Sequence, residues 1–349
     1  MSEGETGESF VRRAREALNE MRLQDALRLF DAAELAGHEP DICAAGRWTC
    51  HMLCGHFEKA WDESDAIERR GRPDPHRFWD GTPFRGKQVI VRCLHGLGDT
   101  IQFIRFIPLI REQAATVTVE AQPGLKSLLA QARIADHVIT WGEQEPGWDQ
   151  QVEINELPKI FRVTEETIPS APYLTVTRSR RTGTANGAVK RKIGLVWSAS
   201  IYNPLRSIPL EQLAPLFELP GLSFYSLQAG PACQELRPWT GVVRNLSEHA
   251  GDVLETAENM MAMDLVITAD TMAAHLGGAL GLPTWTLLPF ACDWRWMTGR
   301  VDTPWYGSMR LFRQSSPGDW APVVRRLAHA LQALCYQGLS SHQSTQPVV

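Results

Sequence analysis

The chain has 349 residues, 44% of them hydrophobic, and a formal net charge of −5. That length suits two or three domains with sizeable cores. The acidic balance argues against a nucleic-acid partner, which needs a basic footprint, and no stretch approaches the ~20 apolar residues of a membrane span.

The opening MSEGETGESFVRRARE is acidic and polar, unlike a secretory signal, so a cytoplasmic location is the default expectation. Residues 1–75 read as helical and repetitive. Leu23-Gln-Asp-Ala26-Leu27 reappears 34 residues later as Phe57-Glu-Lys-Ala60-Trp61, and Gly37 maps onto Gly71 by the same shift. A 34-residue period of helix pairs is the tetratricopeptide signature. Two repeats are fewer than such a module needs to stand alone, so the helices are expected to pack on the next domain. A peptide or a second copy of the chain docking there is the alternative. Seven cysteines, an odd count without CxxC, are expected to be reduced. Cys43, Cys50 and Cys54 fall at helical spacing and suit a helix–helix core. With His51 and His56 they make no familiar zinc spacing, and no metal site is expected.

Arg72-Pro73-Asp74-Pro75 breaks the helices. Strands and helices then alternate over 76–177. Strands are expected at Gln88–Leu94, Thr116–Glu120, His137–Trp141, Val152–Ile154 and Tyr173–Val176, with helices at Thr100–Ile110 and Leu125–Ala132. Residues 178–192 are polar and basic and read as a linker. A second unit over 193–336 has strands at Ile193–Trp197, Ser223–Leu227, Leu265–Ile267, Thr284–Leu288 and Met309–Arg313. Its helices are expected at Leu210–Leu219, Val253–Met263, after Asp270-Thr271, and at Trp320–Tyr336. Residues 337–349 read as a disordered tail. The class is α/β: two Rossmann-like domains, with a ligand cleft between their facing carboxyl edges, preceded by a helical repeat segment.

Two segments carry chemistry. In Asp270-Thr271-Met272-Ala273-Ala274-His275, a buried strand ends at two good N-cap residues. The helix that follows offers unpaired N–H groups to a phosphate, and His275 lies one turn after Thr271. An ordinary strand–helix junction with a core histidine fits equally well. In His95-Gly96-Leu97-Gly98-Asp99-Thr100, the glycines permit close backbone approach to a ligand. Asp99 is either a general base facing the cleft or a helix cap. Arg206 is a candidate phosphate cation, and Gln228, at a strand end, either reads a nucleotide base or ribose or sits in a turn. In Asp293-Trp294-Arg295-Trp296, Arg295 suits a phosphate, and the tryptophans suit either a sugar face or the core.

The paired segments HGLGDTIQFIRF and DTMAAHLGGALGLP, in this order, resemble the heptosyltransferase-like glycosyltransferases of family 9, and with the repeats the chain resembles the bacterial tetratricopeptide-repeat proteins carrying such a domain. The likeness covers roughly residues 78–333. It implies a GT-B fold and metal-independent, cofactor-free inverting transfer from a nucleotide-diphosphate sugar to a glycan, lipid-linked or protein acceptor. It places Asp99 as base and Asp270, Thr271 and His275 in the donor loop, with Gly98 and Met272 beside them. Met272 and Ala273 depart from the small or polar residues of relatives, which leaves the donor pocket open. A non-catalytic scaffold and a GT-B epimerase are the competing expectations.

Overall fold

The computed structural model describes residues 6–71, 77–177, 190–200, 203–247 and 252–343, with side chains as far as Cys335.

Four helices open the chain: α1 (Gly7–Asn19), α2 (Leu23–Leu35), α3 (Pro40–Leu53) and α4 (Phe57–Arg69). α2 and α4 are displaced by the 34 residues of the sequence repeat at both ends. Gly37 and Gly71, just beyond them, both take the left-handed conformation, with φ of +81° and +74°. Such C-terminal stops favour glycine because it has no Cβ to clash. The four helices bury a small core of Val11, Ala14, Phe30, Cys43 and Cys50. A Cβ on Gly46 would lie 2.2 Å from the Phe30 ring, so that ring rests directly on the α3 backbone. All seven cysteines are free thiols, as expected.

The helices do not stand apart. Met52, Leu53, Phe57 and Trp61 enter the large core of the α/β region, as two repeats with an unfinished apolar face require. The Trp61 indole donates to Val163 O at 2.8 Å, and Thr298 N donates to Leu53 O at 2.9 Å. The segment therefore touches both α/β halves.

The first half contains β1 (Gln88–Arg92), α5 (Leu97–Phe103), α6 (Ile107–Arg111), β2 (Thr116–Ala121), α7 (Lys126–Ala132), β3 (His137–Thr140), β4 (Gln150–Glu153) and α8 (Leu157–Ile160). Its parallel sheet has the order β3-β2-β1-β4. The single helix expected over Thr100–Ile110 is broken at Ile104–Phe106 into a 3-10 turn. Pro108 explains the break: it lacks the N–H that would bond Ile104 O, and its ring crowds that carbonyl. Tyr173–Val176 is not a strand. Tyr173 N and Leu174 N both donate to Ala279 O, tying this segment to the second half.

The second half contains β5 (Arg191–Val196), α9 (Leu210–Phe217), β6 (Leu222–Ser226), β7 (Val243–Asn245), α10 (Val253–Met260), β8 (Leu265–Ala269), α11 (Met272–Ala279), β9 (Thr284–Leu288), β10 (Met309–Arg313) and α12 (Ala321–Gln343). Its parallel sheet has the order β10-β9-β8-β5-β6-β7. β5 begins at Arg191, inside the expected linker; residues 178–189 of that linker lie outside the described residues. α12 continues to Gln343, past the Tyr336 expected from sequence. Gly338 reads as a stop signal, but one glycine costs a helix only ~1 kcal/mol. Residues 344–349 of the expected tail lie outside the described residues.

Each sheet reverses its strand order once, between β1 and β4 and between β5 and β8. Such switch points open crevices at the carboxyl ends of parallel strands. Loops His95–Asp99, Asp270–Thr271 and the one carrying Arg206 all leave from these points.

A candidate active site between the two sheets

Gly96 caps α5, and Asp99 in the first turn accepts its N–H through Oδ2 at 3.0 Å. Gln122 braces the same loop: it accepts from Thr100 Oγ1 at 3.0 Å and donates to His95 O at 2.7 Å. Asp99 thus caps the start of α5 while 28% of its side chain stays exposed. Gly98 faces α11. A Cβ there would lie 3.0 Å from His275 Cδ2 and 3.6 Å from Met272 Cα. Its lack of a side chain lets the two chemistry-bearing helices touch.

Across the cleft, Thr271 caps α11 by accepting Ala273 N at 3.2 Å. Asp270 directly follows the strand before it, β8, and is only 2% exposed. Burial, with the nearby charge of Asp293, pushes its carboxyl up to about 6, against the opposing pull of Arg206. Arg206 Nη1 lies 3.8 Å from Asp270 Oδ2, beyond hydrogen-bond reach. Asp270 Oδ2 and Arg206 Nε are both buried without a protein partner. Unpaired buried polar atoms are costly, and these two mark a place where a ligand's polar groups fit.

Arg295 is the bridge between the halves. It donates through Nη2 to Asp99 Oδ1 at 2.7 Å, through Nη1 to Asp293 Oδ1 at 3.0 Å and through Nε to Gln102 Oε1 at 2.5 Å. Its guanidinium carbon lies 4.6 Å from the Trp294 ring centroid and 5.3 Å from that of Phe103. Arg295, the phosphate candidate of the sequence, is in the structure a strut that orients Asp99.

His275 is buried. It stacks on Trp296 at 5.3 Å and shares a 2.9 Å hydrogen bond with Tyr306 through Nδ1. Burial, reinforced by the charge of Arg295, holds it well below its ordinary pKa, so the imidazole is neutral. It supports the junction of α5 and α11. Gln228 is engaged throughout: Oε1 accepts Trp197 N at 3.1 Å and Ser198 N at 2.8 Å, while Nε2 donates to Ala229 O at 2.8 Å and Ser198 O at 3.3 Å. These bonds fill its four sites, so Gln228 shapes the loop after β5 and has no group left for a base or ribose. Met272 opens α11, half-buried against Gly98.

Three contributors were not anticipated. Gln102 orients Arg295. Trp48 of α3 packs edge-on against Trp294 at 5.3 Å, bringing the helical segment to the site. Glu153 ends β4 at the first switch point and is 1% exposed. Its sequence signal was a lone charge between the apolar Val152 and Ile154. Among the described residues, no group of three or more His, Cys, Asp or Glu is placed to hold a metal ion, and no helix is long and apolar enough to cross a membrane.

No protein-family model matches the chain. It is 24% identical over 354 residues to Protein FlbA of Caulobacter vibrioides, an alignment covering 89% of this chain and 59% of that protein, so the chain spans well under two thirds of this relative. Among solved structures, E. coli ADP-heptose lipopolysaccharide heptosyltransferase II is similar with a TM-score of 0.51 and 16% identity, covering 72% of this chain and 99% of the other. A family 9 glycosyltransferase from Veillonella parvula matches with a TM-score of 0.46 and 15% identity, over 67% and 87% of the two chains. Two parallel sheets, each with its switch point at a shared cleft, give this chain the GT-B-type fold of glycosyltransferases.

Proposed function

We propose that the chain is an inverting glycosyltransferase using a nucleotide-diphosphate sugar. The observation that carries this reading is the 2.7 Å bond from Arg295 to Asp99, which ties a carboxylate of the first half to the second, whose α11 meets the same loop at Gly98. The acceptor hydroxyl oxygen attacks the anomeric carbon while Asp99 takes its proton. The bond from that carbon to the diphosphate breaks, and the nucleoside diphosphate leaves with the electron pair. Displacement from the opposite face inverts the centre. Arg206 and the N-terminal N–H groups of α11 offset the charge of the leaving diphosphate. Asp270, a carboxyl rather than a cation, suits the hydroxyls of the donor sugar.

ADP-heptose is the first donor to test, because it is named for the E. coli structure of the same fold. A glycan, lipid-linked or protein hydroxyl serves as acceptor. We read the N-terminal helices as two tetratricopeptide-like repeats whose role includes closing the cleft, and the seven free thiols as fitting the cytoplasm.

The test is calorimetric titration with ADP, UDP and GDP and the matching nucleotide sugars, followed by turnover. Asp99→Ala should lower turnover by ~10²–10⁴-fold, the usual loss for a general base, and leave donor affinity intact. Unchanged turnover would remove Asp99 from the mechanism. Folded protein that binds no nucleotide would turn the reading to a non-catalytic scaffold. Turnover that persists after exhaustive chelation would fit a metal-independent reaction; its loss and return with added metal would not.

A further inference from the structure

A cavity of about 220 Å³ lies beside the Asp99 centre, walled by α3, α4 and the carboxyl ends of β1 and β4. Trp48, Trp61, Trp79, His95, Glu153 and Asn155 are among the residues that line it. Two buried polar atoms here have no hydrogen-bond partner: Glu153 Oε1 and Asn155 Oδ1. The Glu153 side chain is only 2% exposed. Its other oxygen accepts Asn155 N at 2.6 Å, which fixes the carboxyl group. His95 Nε2 comes within 3.7 Å of Oε1, too far for a hydrogen bond. Burial pushes the Glu153 carboxyl up to about 7.

We propose that this cavity is an acceptor subsite, seating one neutral sugar ring of the glycan that receives the transfer. The ring's hydroxyls donate to Glu153 and Asn155, and its C–H face lies on the tryptophans. This inference rests on the transferase reading above.

The lining selects the occupant. Asn155 Oδ1 is an acceptor, and so is Glu153 Oε1 when the carboxyl is ionised, so a ligand that brings donors satisfies both. A phosphate or carboxylate brings acceptors and negative charge to a wall that already holds Glu68 and Glu156. Neither cation of the wall is spare: Arg77 is held by Glu68 at 2.5 Å, and the Lys159 ammonium by Glu68 and by Asp65 at 3.3 Å. An aliphatic group leaves both acceptors unpaired, which is unfavourable. A serine or threonine side chain brings one donor and no broad face. A pyranose ring supplies several donors and an apolar face together. The volume lies below the ~300–1,000 Å³ typical of drug-sized ligands, which fits one ring. The position is right for an acceptor as well: His95 is on the loop that carries Asp99, and Trp48 touches Trp294, on which Arg295 rests.

The experiment uses the full chain. Saturation-transfer NMR is run with the methyl α- and β-pyranosides of glucose, galactose and mannose, and with Ser- and Thr-containing tripeptides. ADP titration runs in parallel. At least one glycoside should bind, with transfer strongest at ring C–H protons. Glu153→Ala should weaken that binding ~10-fold or more, the loss expected for a hydrogen bond to a carboxyl group, and Trp79→Ala should weaken it too. ADP affinity should not move in either variant, which also confirms folding. Should Glu153→Ala fail to fold, Asn155→Ala carries the same test at a half-buried position. Absence of glycoside binding in protein that binds ADP overturns the subsite and spares the transferase reading. Glycoside binding indifferent to these substitutions, or peptide binding in its place, also overturns it. Glycoside binding that depends on Glu153, in protein blind to every nucleotide, keeps the sugar site and removes the transferase reading.

Discussion

Asp270→Asn isolates the electrostatic cost built into the cleft. Asp270 is buried, and its carboxyl is pushed from an ordinary 3.8 up to about 6. At 1.36 kcal/mol per tenfold change, that displacement amounts to ~3 kcal/mol of strain in the charged form, an order-of-magnitude figure. The folded state holds this proton more tightly than the unfolded state. Its stabilising effect is fully present below the unfolded value of 3.8 and is lost as pH rises through about 6. Asparagine mimics the protonated shape and never ionises. The assay is urea denaturation of both proteins in parallel from pH 4 to pH 8. The variant should match the native protein near pH 4 and exceed it by up to ~3 kcal/mol above pH 7. Glu153, also raised by burial, titrates in both proteins and cancels in the difference. Arg206 loses its carboxylate neighbour, but its side chain is 27% exposed. A variant that is less stable at pH 8, or a difference flat across the range, would refute the reasoning. Donor affinity should fall in the same variant if the carboxyl group meets the sugar.

The remaining predictions concern how the two halves meet. Gly98→Ala should destabilise by ~1–3 kcal/mol, the cost of overpacking. The new methyl would lie 3.0 Å from a His275 ring that Trp296 and Tyr306 hold in place. An unchanged melting temperature would mean that α5 and α11 are not in close contact. Arg295→Gln leaves Asp99 and Asp293 without their cation. Because those carboxylates are 28% and 36% exposed, the stability loss should stay at or below ~3 kcal/mol. Turnover should fall at least ~10-fold as Asp99 loses its orientation, and full turnover would show that Asp99 needs no strut.

Local pattern made much of the fold legible. β9 falls where its apolar run predicts, because strands buried in parallel sheets carry side chains that alternate little in polarity. The 34-residue period recurs in α2 and α4, whose C-terminal ends are followed by the glycine signals Gly37 and Gly71. What the sequence hid is long-range. Asp99 was visible, but its partner Arg295 lies 196 residues away, and nothing local says that an arginine beside tryptophans will reach a carboxylate rather than a phosphate. Gln228 looked like a ligand contact at a strand end because a free amide and one closed on its own loop have the same sequence. His275 has the spacing of a ligand residue, yet Trp296 and Tyr306, from distant segments, enclose it. Trp48 and Glu153 required knowing that a helical segment folds over the first switch point.

The way α3 and α4 attach has a consequence for how the halves are kept together. On one side, Trp61 bonds Val163 and Lys159 pairs with Asp65; on the other, Thr298 bonds Leu53 and Trp48 packs on Trp294. The first half also clasps α11 through Tyr173 and Leu174. Together with that clasp, the helices act as a noncovalent crosslink between the two halves. Peptide-bond continuity between the halves is then dispensable for assembly: residues 1–177 and 190–349, made as separate chains, should find each other and rebuild the site. Removing 1–71 should abolish that complementation.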